Sequence, residues 1–261
     1  MAAVRRQAVI PQDVVRRLVV EASESLVLVG GQALKVWVDR YEVVLPERFA
    51  FVSSDVDFLA ESAASVDAVR GLARALGGRA IFPKRRGALT ALVGQAVKAL
   101  DDDEVFNVDV LHRIFGADDG VRARAVELRL PEATFRVMHP LDVLKSRLDN
   151  LYGLPEKQND LGKAQLRAAI EMVRGFQRDA IATVTAARGR RPVTLRFASF
   201  IEGLATGDAG KKVAARHEIH VADAIEPSAV PNREFRERKL PRLARWMSPE
   251  RRKMLGLGAP T

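Results

Sequence analysis

The chain of 261 residues contains no cysteine, which excludes disulfides and any zinc or iron–sulfur site held by thiolates. Aromatic residues make up only 6% of it, and its two tryptophans, Trp37 and Trp246, read as core or boundary residues rather than base-stacking platforms. Long apolar runs are missing as well. None approaches the ~18 residues of a membrane span, and the start Met1-Ala2-Ala3-Val4-Arg5-Arg6 lacks the apolar segment of a signal peptide. The expectation is a soluble, cytoplasmic chain with no membrane partner. No Gly-x-Ser-x-Gly elbow, Walker loop or dinucleotide fingerprint occurs. His217-Glu218-Ile219-His220 is one residue short of the His-Glu-x-x-His zinc spacing, so these histidines are expected at the surface.

What is present is enough apolar content, 48%, for one large core or two small ones. The net charge is +9, and the excess lies mainly from Lys145 onward, an asymmetry that permits nucleic-acid binding without establishing it.

The pattern that organises the chain is Ser53-Ser54-Asp55-Val56-Asp57-Phe58-Leu59. Carboxylates two positions apart point to the same face of a strand. Side by side they repel unless a cation lies between them. Upstream, the apolar strand Leu26–Val29 breaks at Gly30-Gly31 and continues as a helix, a turn whose backbone N–H groups suit a triphosphate. A glycine pair there is also an ordinary tight turn, and gains weight only from the acids that follow. Downstream, Val105-Phe106-Asn107-Val108-Asp109-Val110-Leu111 sets a third acid in an apolar strand. A strand, a Gly-Gly turn, an Asp-x-Asp and a lone strand Asp together form the pattern of a two-metal phosphoryl-transfer site. Asp101-Asp102-Asp103, by contrast, reads as a solvated hairpin tip.

In chain order, helices are expected from Pro11 to about Ala22, from Gln32 to about Tyr41, and from a Ser65 cap to about Leu76, closed by Gly77-Gly78. Leu89–Leu100 carries both helix and hairpin signals, and Gly94 with the polar turn favours the hairpin. Arg124–Leu130 and Thr134–Met138 form a second strand pair. After Pro140 the period becomes helical, with stripes Leu141, Leu144, Leu148, Leu151 and then Leu161, Leu166, Ile170, Val173, followed by helices at 193–204 and 211–224. Loose surface helices are expected over the Arg-rich stretch 233–253. The fold class is α+β: a mixed sheet flanked by helices in residues 1–138, then an all-helical part in 139–261 that completes the cleft and ends in a basic tail.

Gly30-Gly31, Asp55-x-Asp57 and Asp109 resemble the signature of the polymerase-β-like nucleotidyltransferase superfamily. Met138-His139-Pro140-Leu141-Asp142-Val143-Leu144-Lys145-Ser146-Arg147-Leu148, followed by Asn159-Asp160-Leu161, resembles its abortive-infection branch, which includes toxins of toxin–antitoxin pairs. The resemblance covers roughly residues 25–175; Gly31 stands where the superfamily often has Ser. It implies that Asp55, Asp57 and Asp109 hold two Mg²⁺ (or Mn²⁺) ions. It also implies that Gly30, Gly31, Ser54, Lys145 and Asp160 bind the nucleotide. The expected activity moves a nucleoside monophosphate from an NTP (ATP among them) to an acceptor hydroxyl. RNA, such as a tRNA end, is the expected acceptor, with an antitoxin protein as partner. The alternatives are a catalytically inactive nucleotide- or RNA-binding module and a small-molecule, aminoglycoside-type nucleotidyltransferase.

Overall fold

The computed structural model describes residues 6–22, 25–46, 55–83, 91–184 and 193–258. Two compact units divide it, Met1–Val36 with Pro46–Ser146, and Trp37–Leu45 with Arg147–Thr261. The first contains β1 (Arg6–Gln7), α1 (Gln12–Ala22), β2 (Val27–Val29), the start of α2 (Gly30–Arg40), β3 (Val56–Leu59), α3 (Val66–Leu76) and β4 (Arg79–Ile81). It continues with β5 (Leu92–Ala99), β6 (Glu104–Leu111), α4 (Val121–Arg124), β7 (Val126–Arg129), β8 (Thr134–Val137) and the start of α5 (Pro140–Gly153). The division runs through α2 and α5.

The eight strands form one mixed sheet in the order β4-β5-β6-β3-β2-β8-β7, with the short β1 also on β6. β3 lies parallel to β6 and antiparallel to β2, and β2 is parallel to β8. Alternation sets the register. Val56, Phe58, Val108 and Val110 are fully buried on one face, while Asp57, Asn107 and Asp109 take the other and are half-buried. Burying each of those apolar side chains contributes about 1.5–3 kcal/mol. A slip of one residue would expose all four and sink the acids instead, at several kcal/mol per buried ion. Both effects act in the same direction, so the register is strongly specified.

The expected hairpin is present, and Asp101 Oδ1 closes its tip by accepting from Asp103 N at 2.8 Å and Glu104 N at 2.7 Å. α3 ends where Gly77 turns left-handed, φ 69°, with Gly78 N bonded back to Ala73 O. Its start differs from expectation. Ser65 has ψ 46°, outside the extended region a capping residue uses, and its hydroxyl accepts from Ser62 N instead of from the helix.

The second unit is helical: the end of α2, the rest of α5, then α6 (Asp160–Val184), α7 (Val193–Thr206), α8 (Asp208–His217), α9 (Leu240–Leu243) and α10 (Pro249–Met254). The helix expected over 211–224 is corrected to α8, which stops because Glu218 adopts φ 54° and turns the chain. The loose surface helices expected over 233–253 are also corrected. Phe235, Leu240, Leu243, Ala244 and Met247 are all buried, so the apolar minority of this Arg-rich stretch packs as a stripe. Gln177, fully buried on α6, ties that unit together: its Nε2 donates to Ala224 O at 2.6 Å and Val173 O at 3.1 Å, and its Oε1 accepts from Glu226 N. Among the described residues no helix is long and apolar enough to cross a membrane.

Candidate functional site

Gly30 follows β2 directly and begins α2 with φ 67°, a left-handed conformation that glycine adopts cheaply. A Cβ placed there would run into the Asp57 carboxylate. The acid therefore packs directly against the Gly30 Cα, at the N-terminus of α2, where the helix dipole and the first-turn N–H groups favour negative charge. Gly31 is buried in the first turn of α2.

Asp57 and Asp109 are register partners on β3 and β6, so their side chains leave the same face of the sheet on neighbouring strands. Carboxylates about 5 Å apart repel by about 3 kcal/mol at an effective dielectric near 20. Two side-chain amides offset this. Gln95, opposite Asp109 on β5, donates Nε2–H to Asp109 Oδ1 at 2.9 Å, and Asn107 donates Nδ2–H to the same oxygen at 2.7 Å. Hydrogen bonds to a charged group stabilise by about 1.5–3 kcal/mol each, enough for the pair to persist. Asp55, half-buried, immediately precedes β3.

Among the described residues no three His, Cys, Asp or Glu side chains are gathered closely enough to hold a metal ion. The expected triad is present as a pair in register, with the third acid at the strand start. The donor chemistry nevertheless suits a hard divalent cation, since the acids of Asp55, Asp57 and Asp109 and the amide of Asn107 offer oxygens. One of these, Asn107 Oδ1, is buried with no hydrogen-bond partner among the described residues.

Lys145, on α5 within the first unit, donates from Nζ to the Gly116 carbonyl in the segment after β6. Its charge also lies near Asp118. Arg124 bridges this region, bonding Asp118 at 2.8 Å and both oxygens of the buried Asp142 at 2.9 Å. The Arg124 hydrogen bond holds the Asp118 carboxyl below the usual carboxylate range, and the two acids raise the guanidinium. Asp160 belongs to the helical unit, exposed at the start of α6 and paired with Lys163 at 3.2 Å. Ser54 lies outside the described residues.

The sequence reading missed Gln95 and Asn107. Asn107 carries a visible signal, a polar residue two before Asp109 in an apolar strand, whereas Gln95 meets Asp109 only through the β5–β6 register. No protein-family model matches this chain, and no curated protein matches it in sequence.

Proposed function

We propose that this chain is a metal-dependent nucleotidyltransferase, moving a nucleoside monophosphate from an NTP to an acceptor hydroxyl. The observation that carries the reading is the juxtaposition of Gly30, Asp57 and Asp109. A left-handed glycine opens a helix N-terminus directly against one strand acid, which stands beside a second. The bare Gly30 backbone lets the Asp57 carboxylate stand against the start of the helix, beside N–H groups that suit the phosphate oxygens of a metal-bound triphosphate. Asp55, Asp57 and Asp109 would hold Mg²⁺, which neutralises phosphate charge and acidifies a bound hydroxyl.

The chain's own groups account for the rest. The new bond joins the acceptor oxygen to the α-phosphorus, the bridge from α-phosphorus to the pyrophosphate oxygen breaks, and pyrophosphate leaves. Asp109 Oδ2, to which no described residue donates, takes the acceptor proton, while Gln95 and Asn107 hold Oδ1. Lys145 serves the leaving pyrophosphate by exchanging the Gly116 carbonyl for a phosphate oxygen. RNA is the preferred acceptor because the net charge is +9. An antitoxin partner accompanies the toxin-type reading.

One rival has an observation in its favour. Lys145 bonded to Gly116 and the ungathered third acid suit a module that binds nucleotide without transferring it. One assay separates the two. The protein is incubated with each NTP labelled at the α-phosphate, Mg²⁺, and RNA, protein or aminoglycoside acceptors. Transfer predicts labelled acceptor with equimolar pyrophosphate, lost in Asp57→Asn. Bound nucleotide without label on any acceptor would leave the module reading in its place.

A further inference from the structure

Carboxylate oxygens only accept hydrogen bonds, so the Asn107 atom 2.7 Å from Asp109 Oδ1 is its amide nitrogen. That orientation fixes the other end of the amide. Asn107 Oδ1 points elsewhere, buried and reached by no donor among the described residues. An acceptor left so costs about 1–3 kcal/mol, a deficit that a bound cation or a proton donor removes. Its position narrows the choice. Asn107 lies two residues before Asp109 on the same face of β6, and its neighbour Val108 pairs with Val56, which Asp55 precedes. The orphan oxygen is therefore on the acidic face, level with the start of the strand that carries Asp57.

We propose that Asn107 is an amide-oxygen ligand of the divalent cation held by Asp57 and Asp109, its two ends doing different work. Oδ1 coordinates the ion, while Nδ2–H, together with Gln95, keeps Asp109 Oδ1 from turning away. This rests on the nucleotidyltransferase reading and adds a ligand that the three-acid pattern does not contain. The competing role is structural. Gln7, paired with Val105 on the same face of β6, has a buried Nε2 that is likewise unpartnered, and a water between the two amides would satisfy both.

The test uses the full chain and Mn²⁺ as probe, with free ion counted by electron paramagnetic resonance. Asn107→Ala should raise the Mn²⁺ Kd by about tenfold to a hundredfold. Asn107→Asp, which keeps an oxygen and adds charge, should bind at least as tightly as the native protein, and Gln7→Leu should bind like it. Native affinity in N107A, with binding lost in Asp57→Asn, would overturn this proposal alone and assign Oδ1 to a buried water. A native protein that binds no Mn²⁺, or D57N binding like the native protein, would overturn the metal-dependent reading as well. Should N107A not fold, the Asn107 side-chain amide resonance of the native protein decides. It should shift on addition of Mg²⁺, and a stationary resonance would overturn the assignment.

Discussion

Gly30 and Asp57 compete for one space: the hydrogen on the Gly30 Cα is all that the Asp57 carboxylate leaves room for. The contact couples a backbone requirement to an electrostatic one. β2 can hand over to α2 at this point only through a left-handed residue, φ 67°, and that turn presents the helix N-terminus to an acid held on the neighbouring strand.

Gly30→Ala should therefore damage both. The left-handed conformation costs an L side chain about 1–2 kcal/mol, and the new methyl displaces Asp57 from its place beside Asp109. Stability should fall by about that amount in urea unfolding, and Mg²⁺-dependent NTP affinity by at least about tenfold, the equivalent of 1.4 kcal/mol. An alanine variant with native affinity would reduce the glycine to an ordinary turn.

Lys145→Ala separates an anchor from a participant. Losing the bond to the Gly116 carbonyl should cost only about 1 kcal/mol of stability. If the ammonium also serves the leaving pyrophosphate, the transfer rate should drop by about a hundredfold or more with little change in NTP affinity. Full transfer activity in the variant would confine Lys145 to holding the segment after β6.

The strand acids and the glycine turn could be read from sequence because they interrupt strong apolar alternation. Asp57 stands out between Val56 and Phe58 and Asp109 between Val108 and Val110, and the two-residue period gives each its face. Their pairing is a property of strand order, and no local signal states that β3 lies beside β6. Gln95 is invisible for the same reason: an amide in a strand carries no signal until β5 brings it opposite Asp109. Two-residue β1 at Arg6–Gln7 is too short for any period. In the helical unit the buried stripe at Phe235, Leu240, Leu243 and Met247 is masked by the arginines between its members.

His139 offers a pH test. Burial holds its imidazole below the ordinary histidine pKa of about 6.5, Asp142 opposing the shift and Arg124 reinforcing it. The unfolded chain then takes up the proton first as pH falls. Stability from this group is full above about pH 6.5 and is lost progressively down to the folded-state pKa. His139→Asn keeps an acceptor for Leu141 N, which bonds His139 Nδ1 at 3.2 Å, but does not titrate. Urea midpoints at pH 8 and pH 5.5 should differ less in the variant than in the native protein. Equal differences would show that His139 makes no contribution to the acid sensitivity.

Gln177→Leu should destabilise the protein by about 2 kcal/mol or more, because it leaves the Ala224 carbonyl and the Glu226 N–H buried without their partner. Denaturant unfolding measures this. A change below about 0.5 kcal/mol, the range of ordinary surface substitutions, would show that the segment after α8 relaxes to reach water.

The most direct measurement is the titration of Mg²⁺·NTP into the native protein, Asp57→Asn and Asp109→Asn by calorimetry, repeated with EDTA in place of the metal. Binding should be saturable, require Mg²⁺ and weaken by at least about tenfold in each variant, while both keep the native unfolding free energy to within about 1 kcal/mol. Nucleotide affinity that survives EDTA, or that is the same in both variants as in the native chain, would contradict the metal-dependent reading.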